Sequence, residues 1–174
     1  MFETIKEGTK QAVHIDLRFM IRHDMPEVLA IENASFEFPW SNEDFVYYLR
    51  QTSCIGMVAE HSSKVVGFMI YNLCKNNIGL LNFAVLPEMR RRGIGEKMIT
   101  KLQRKLSEQR RAKIIFNLRE KNLPAQLFFR QCGFRAIDVL RNLYEDTHED
   151  AYLMEYHIPN SSYTPKNRIS ELRG

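Results

Sequence analysis

The chain has 174 residues, 44% of them hydrophobic and 26% charged, with a formal net charge of +4. These values predict one globular domain with its own core, and no apolar run approaches the length of a membrane span. Residues 1 to 10 are polar and lack a signal-peptide core, while three widely separated cysteines favour a reducing, cytoplasmic location without disulfides.

The predicted elements begin after an N-terminal extension, residues 1–17. A strand is expected near residues 17–21, and a capping box at Asp24–Glu27 with an early proline predicts a helix through Ala34. A second N-cap signal at Ser41–Asp44 predicts a helix through Leu49. Apolar and alternating runs then predict three strands, at residues 54–60, 65–73 and 79–85.

The second half of the chain continues with a helix predicted at residues 94–110, where apolar residues recur every four positions. A strand at 113–118 and a helix at 124–131 follow, with Gly133 as the helix stop. Strands at 135–141 and 151–157 complete the pattern. This order predicts an α/β (α+β) domain around one sheet at residues 18–158, followed by a flexible tail, residues 159–174.

A basic, glycine-containing loop joins the third predicted strand to the following helix. It reads Arg90-Arg91-Arg92-Gly93-Ile94-Gly95. Glycines let the backbone turn tightly and approach a ligand, and N–H groups at a helix start attract anions. The loop fits neither the P-loop nor the dinucleotide-binding pattern. By themselves, these residues are compatible with a pyrophosphate site and with an ordinary basic turn.

Other ligand classes have little support in the sequence. The net charge of +4 would suit a ribosome, nucleic acid or cofactor phosphates, but it is also ordinary for a protein surface. The basic residues form no long run with interleaved aromatics, so no direct nucleic-acid contact is expected. Without an HExxH or CxxC pattern, no metal is predicted.

The wider sequence resembles the GNAT superfamily of acyl-CoA-dependent N-acetyltransferases. Residues 83 to 95 are similar to its motif A, R/Q-x-x-G-x-G/A, and Asn122 with residues 127 to 134 resembles its segment ending in Gly-Phe. Residues 32 to 41, which contain Pro-Trp-Ser, and residues 141 to 144 resemble RimI-type enzymes, which acetylate the N-terminal alanine of a ribosomal protein. The likeness extends over most of the chain, from residue 18 to residue 157.

This resemblance implies a GNAT fold, a single mixed and mostly antiparallel sheet flanked by helices, with strands four and five splayed apart. It also implies acetyl-CoA as co-substrate. The backbone of Phe83–Val85 would pair with pantetheine, the Val85 N–H would face the thioester oxygen, and the amides of Arg91–Glu96 would hold the pyrophosphate. The residues assigned to the cofactor are Phe83, Ala84, Val85, Arg90, Arg91, Arg92, Gly93, Ile94, Gly95, Glu96, Asn122 and Phe129.

The positions used for proton transfer depart from the family pattern. RimI-type enzymes have a glutamate base and a tyrosine acid where this chain has Asn117 and Phe129. Asparagine is no base at neutral pH, and phenylalanine has no proton to give. Three explanations stay open: Asn117 orients a water while another group accepts the proton, the amine arrives partly neutral, or the protein binds acyl-CoA without fast turnover.

Tyr144 is the remaining candidate for a polar catalytic side chain, because it corresponds to a tyrosine that often lines the peptide site in N-terminal acetyltransferases. Packing at a strand end is equally compatible with its position. Glu37 and Glu120 are expected to be solvated, Trp40 to be a packing anchor, and Cys132 to be part of the core.

We therefore expect acetyl transfer from acetyl-CoA to a primary amine, and the resemblance points to the N-terminal α-amino group of a protein, such as a ribosomal protein. The alternatives are a small amine, such as a polyamine or an aminoglycoside, or a non-catalytic acyl-CoA-binding module. The acceptor would lie between residues 36–41 and residues 143–151. Five acidic residues there predict a preference for basic N-terminal segments: Glu37, Glu145, Asp146, Glu149 and Asp150.

Overall fold

The computed structural model describes residues 13–159. Most of the predicted N-terminal extension and nearly all of the predicted tail lie outside this range, so both assignments stay predictions. Within it, Ile15 is buried in the core and the first strand begins at Asp16. The sheet thus starts slightly before the predicted domain boundary at residue 18.

Seven strands form one mixed sheet in the order β1-β2-β3-β4-β5-β7-β6. All neighbouring strands are antiparallel except β4 and β5, which are parallel. The predicted α/β (α+β) architecture, a mixed and mostly antiparallel sheet flanked by helices, is therefore confirmed. The strands are β1 (Asp16–Phe19), β2 (Cys54–His61), β3 (Lys64–Leu73), β4 (Asn77–Val85), β5 (Lys113–Arg119), β6 (Arg135–Tyr144) and β7 (Glu149–His157).

Four α-helices cover the two faces of the sheet: α1 (Met25–Ser35), α2 (Asn42–Leu49), α3 (Ile94–Gln103) and α4 (Leu123–Gln131). Alternation along β3 shows the two layers, because Phe68 and Ile70 pack in one core cluster with α1 and α2. Met69 and Tyr71 pack in the other cluster, with α3 and α4. Side chains alternate between the faces of a strand, so each helix pair buries its own face of the sheet.

The gap between β4 and β5 is the feature of the fold that positions the predicted cofactor site. The two strands pair over three residues each, Asn77–Gly79 with Lys113–Ile115. Further along, Ile70 of β3 pairs with Asn82 and Tyr71 with Leu80, so Leu81 is the extra residue of a β-bulge. A bulge bends its strand and changes the direction of nearby groups. The predicted divergence of these two strands is therefore present.

Two local predictions were wrong. The helix expected at residues 94–110 ends at Gln103, where the N–H groups of Lys105 and Leu106 donate to carbonyls three residues back instead of four. A separate turn follows at residues 107–111. Asp24 precedes α1 without capping it through its side chain. Its carboxylate instead accepts from the Ile21 N–H and from Arg18. The N-cap prediction for Ser41 is confirmed, with reciprocal bonds to Asp44.

None of the helices within residues 13–159 is both long and apolar enough to cross a membrane.

Candidate functional site

The loop before α3 has the backbone geometry of an anion site. Arg91 and Gly93 both have positive φ angles, 62° and 79°. When residues in the left-handed helical conformation alternate with residues in the right-handed one, their successive backbone N–H groups point towards one place. Within residues 13–159, the N–H groups of residues 91 to 96 have no hydrogen-bond acceptor. This row of unpaired donors at a helix start fits a pyrophosphate.

The three arginines of this loop have different surroundings. Arg90 points back towards the sheet, where Nε donates to Val85 O at 2.9 Å and Nη2 donates to Ser35 Oγ at 3.0 Å. Arg90 therefore ties the end of β4 to the end of α1, a role that the sequence did not reveal. Arg91 and Arg92 are exposed and leave their charge available to an anion.

Gly95 sets how closely α3 approaches α4. A Cβ atom placed on Gly95 would lie 2.9 Å from Phe128 Cζ and 3.4 Å from Phe83 Cζ. Such distances are shorter than van der Waals contact, so glycine lets the start of α3 pack directly on these rings. At Gly93 a Cβ would meet no atom within 4 Å, and the positive φ is the reason for glycine there.

The predicted acyl-binding strand, Phe83, Ala84 and Val85, pairs with β3 along one edge. Its other edge faces β5, where pairing stops at Gly79 and Ile115. The backbone groups on this edge can therefore pair with an extended chain such as pantetheine. The Phe83 ring packs 5.7 Å from Phe128 and forms part of the wall on the α4 side.

Two other residues predicted to contact the cofactor have clear structural roles. Asn122 is the N-cap of α4, since its Oδ1 accepts from the Ala125 N–H at 3.2 Å. Phe129 is 5% exposed and its ring lies 4.3 Å from Phe116 and 5.4 Å from Phe134. Phe129 thus completes an aromatic cluster beneath the gap. Their contacts with a bound cofactor stay predictions.

Asn117 is exposed on the other face of β5 from the buried Phe116. It lies beyond the last pair between β4 and β5 and opposite Leu153 of β7. Its amide therefore faces the side of the sheet that carries α1 and α2. This is a suitable place to hold a water or an amine, although an amide cannot take the proton.

Arg119 connects Tyr144 to the loop after α1. Its guanidinium lies 3.8 Å from the Tyr144 ring centroid and 5.1 Å from that of Phe38. Burial raises the pKa of the Tyr144 phenol, and the nearby positive charge of Arg119 opposes this shift. The phenol is therefore protonated at neutral pH. Arg119 thus joins the two segments predicted to flank the acceptor, a contact that the sequence did not reveal.

The space between residues 36–41 and residues 143–151, where the acceptor is predicted to enter, is called the acceptor mouth below. The acidic residues near this mouth are largely paired. Arg119 forms ion pairs of 3.2 Å with Asp146 and with Glu149, and Arg141 pairs with Asp150. The Lys121 N–H and then Arg119 lower the pKa of Glu149, while the Asn142 N–H and then Arg141 lower that of Asp150. Two arginines thus offset part of the acidity that the sequence predicted.

The remaining predictions about single residues agree with the structure. Trp40 stacks 4.5 Å from Tyr48 and lies 5.3 Å from Phe45, which confirms it as a packing anchor. Burial raises the pKa of Cys132 to about 11, so its thiol stays protonated in the core. Glu37 and Glu120 are exposed, as expected. Within residues 13–159, no group of three or more His, Cys, Asp or Glu residues could hold a metal ion, and the absence of a metal stays a prediction.

Solved structures share this architecture. The ribosomal-protein-S18-alanine N-acetyltransferase from Escherichia coli superposes with a TM-score of 0.73 and 24% identity, covering 86% of this chain and 100% of that one. Arabidopsis thaliana NAA60 in complex with acetyl-CoA gives a TM-score of 0.75 at 19% identity, covering 83% of this chain and 100% of that one. At these identities the superpositions show a shared fold and nothing further.

Sequence relatives match over most of their own length. The [ribosomal protein bS18]-alanine N-acetyltransferase of Escherichia coli is 27% identical over 133 residues, which cover 75% of this chain and 89% of that protein. An N-alpha-acetyltransferase of Sulfurisphaera tokodaii is 28% identical over 145 residues, covering 75% of this chain and 86% of that protein. The family described as Acetyltransferase (GNAT) matches residues 25–134, more than half of the chain. The chain therefore belongs to the GNAT acetyltransferase family, which confirms the predicted family and the enzyme class of acyl-CoA-dependent N-acetyltransferases.

Proposed function

We propose that this enzyme transfers an acetyl group from acetyl-CoA to the N-terminal α-amino group of a protein, such as a ribosomal protein. The observation that carries the proposal is the similarity, over nearly their full length, to relatives named for N-terminal acetylation. The three cysteines are free, which is compatible with a reducing, cytoplasmic setting.

Acetyl-CoA would lie along the free edge of β4. The unpaired N–H groups of residues 91 to 96 would bind its pyrophosphate, with Arg91 and Arg92 adding positive charge. The Val85 N–H would face the thioester oxygen and stabilise the negative charge that develops there. In this arrangement Asn122 and Phe129 contribute through the position of α4 and the wall of the gap.

The reaction would proceed by direct attack of the amine nitrogen on the thioester carbon, followed by cleavage of the carbon–sulfur bond. The amine loses one proton to water, which Asn117 would hold. The departing thiolate gains one proton, and Tyr144 is the proposed donor, because its phenol is half-buried and protonated at neutral pH. The Tyr144 phenolate then regains a proton from water, which balances the proton that the amine released. Asn117 and Tyr144 are thus the proposed catalytic residues.

The acceptor would enter between Phe38 and the β6–β7 turn, where Arg119 joins the two segments. Glu37 and Glu145 are both exposed at this mouth. Because Arg119 and Arg141 offset part of the other acidic charge, the preference for basic peptides should be moderate. It should also decline as salt screens the exposed charges.

A second reading, an acyl-CoA-binding module without fast turnover, is favoured by the replacement of the usual base and acid with Asn117 and Phe129. Such a protein would keep the pyrophosphate loop and bind acetyl-CoA. It would not release CoA at a useful rate with any amine. The distinction is therefore one of turnover rather than of binding.

The test is incubation with acetyl-CoA and a library of peptides with free N-termini, read by mass spectrometry, with N-terminally blocked copies as controls. We expect products only from free N-termini. The rate constant kcat/KM should also rise as a basic peptide grows from about two to about six residues, since extended chain spans ~3.3 Å per residue. Equal rates at all lengths, or faster acetylation of spermidine, would favour a small-amine enzyme. Tight acetyl-CoA binding without product would favour the binding module.

A further inference from the structure

A buried carboxylate on α1 has no role in the reaction described so far. Glu32 is 1% exposed, yet its two oxygens accept separate hydrogen bonds. Oε1 accepts from the Trp40 backbone N–H at 2.7 Å, and Oε2 accepts from Asn82 Nδ2 at 3.1 Å. Glu32 thus connects the loop that follows α1 to the strand that carries the predicted acyl-binding backbone.

Asn82 is placed where its side chain can meet an acceptor. It follows the bulge at Leu81 and directly precedes Phe83, at the level where β4 and β5 have separated. Its bond to Glu32 turns its amide towards the face covered by α1, which is also the face of the exposed Asn117. The two amides therefore face the same side of the sheet, one from each strand of the gap.

Only one of the two polar atoms in the Asn82 side-chain amide has a hydrogen-bond partner. The residue is 8% exposed and its Nδ2 donates to Glu32, but its Oδ1 accepts no hydrogen bond within residues 13–159. In the same range, the fully buried side-chain atoms without a partner are the Oδ1 atoms of Asn72 and Asn77. Asn82 Oδ1 is therefore an unpaired acceptor that remains accessible, in a residue that is otherwise buried.

We propose that Asn82 Oδ1 accepts a hydrogen bond from the acceptor amine, and that Glu32 is the positioning residue that fixes the Asn82 amide in this orientation. The inference deepens the proposed function, because it requires that an amine enters on this face. It adds two residues, Asn82 and Glu32, to those that the family resemblance assigned.

The chemistry explains why this pair is effective. Both Glu32 oxygens accept hydrogen bonds from N–H donors, so Asn82 directs its NH₂ group to Glu32 and its carbonyl oxygen away from it. An amine that donates one N–H to this oxygen keeps its lone pair for the thioester carbon. Asn82 does not remove the proton. It restricts the direction of the amine, and correct orientation of reactants is a large part of catalysis.

The substitution Glu32→Gln changes the orientation of the Asn82 amide without changing the packing around residue 32. The glutamine oxygen would keep the short bond from the Trp40 N–H, which places its NH₂ group against Asn82. Asn82 would then have to reverse its amide and offer its oxygen to residue 32, with its NH₂ group towards the amine. The side chain keeps its shape, the protein stays folded, and the acceptor meets a donor instead of an acceptor.

The experiment compares the wild-type protein with Glu32→Gln, Asn82→Ala and the control Asn33→Ala, which changes an exposed asparagine of α1. Steady-state kinetics use an acceptor peptide that the wild-type protein acetylates, and calorimetry measures acetyl-CoA affinity. We expect kcat to fall about 10-fold in Glu32→Gln and in Asn82→Ala, the scale of one hydrogen bond. Acetyl-CoA affinity should stay unchanged, and Asn33→Ala should match the wild type.

A Glu32→Gln protein that is folded and has the wild-type kcat would overturn the inference, even if Asn82→Ala is too unstable to assay. Equal losses of acetyl-CoA affinity and of rate would also overturn it, because they indicate a general structural role. If the wild-type protein acetylates small amines only, the proposed acceptor fails, and the same comparison with that amine decides the roles of Asn82 and Glu32. Absence of transfer to any amine would refute both.

Discussion

Removal of Arg119 is expected to disturb both stability and the acceptor mouth. Its guanidinium pairs with Asp146 and Glu149 and covers the Tyr144 ring. Arg119→Gln deletes the charge but keeps part of the side-chain length. Glu149 would then retain the Lys121 N–H as a hydrogen-bond donor but would lose its opposite charge.

The size of the effect follows from burial. The Glu149 side chain is 6% exposed, whereas those of Arg119 and Asp146 are 27% and 39% exposed. Breaking a fully buried pair costs about 3–5 kcal/mol, and an exposed pair contributes about 0–1 kcal/mol. For this partly buried network we expect a loss of about 2 kcal/mol. In a chain of this size that lowers Tm by about 4–8 °C.

Urea and thermal unfolding at neutral pH would measure this loss, with Arg141→Gln as the matched control. Arg141 is 69% exposed and pairs with Asp150 on the same hairpin, so its removal should change Tm little. A double-mutant cycle with Glu149→Gln measures the coupling free energy between Arg119 and Glu149. Equal Tm losses in Arg119→Gln and Arg141→Gln, or no coupling in the cycle, would refute the reasoning.

Three further predictions concern the cofactor loop, the proposed acid and acid stability. Gly95→Ala places a methyl group against Phe128, so calorimetry should show weaker acetyl-CoA binding, and unfolding should show a loss of about 1–2 kcal/mol. Tyr144→Phe should lower kcat about 100-fold if the phenol supplies the proton, and an unchanged kcat would remove it from the mechanism. Arg18 holds the pKa of Asp24 below 3.8, so this pair stabilises the fold above that pH and the contribution is lost as pH falls further. Asp24→Asn should therefore flatten the acid limb of a stability–pH curve, and an unaltered limb would contradict this.

The sequence carried enough information to predict the features that depend on local patterns. The bounds of most strands follow from apolar runs, and the strand–loop–helix order around Gly93 is compatible with an anion site as well as with an ordinary basic turn. Ser41 could be identified as a cap because its partner, Asp44, lies three residues away. Each of these features depends on residues that are neighbours in the chain.

The features that the sequence did not reveal depend on long-range contacts. Asp24 looks like a helix cap, but a guanidinium from β1 competes for its carboxylate with two hydrogen bonds of 2.7 and 2.8 Å. Glu32 bonds Asn82, fifty positions along the chain, and Arg119 pairs with residues of the distant β6–β7 turn. A carboxylate or guanidinium does not indicate its partner in one sequence, so these contacts needed the fold.

The absence of an ionising base at Asn117 has a consequence for the choice of amine. If water takes the proton, the rate depends on the fraction of amine that is already neutral. At pH 7 an α-amino group with a pKa of ~8 is about one-tenth neutral, whereas a lysine with a pKa of ~10.4 is neutral in about one molecule in 2,500. This difference in neutral fraction alone favours acetylation of the α-amine over that of lysine by ~200-fold. We therefore expect kcat/KM for a peptide N-terminus to rise about tenfold per pH unit and to level off near pH ~8, the pKa of the amine. A profile that levels off below pH 7 would instead reveal an ionising base on the enzyme, and would contradict the view that Asn117 leaves deprotonation to the solvent.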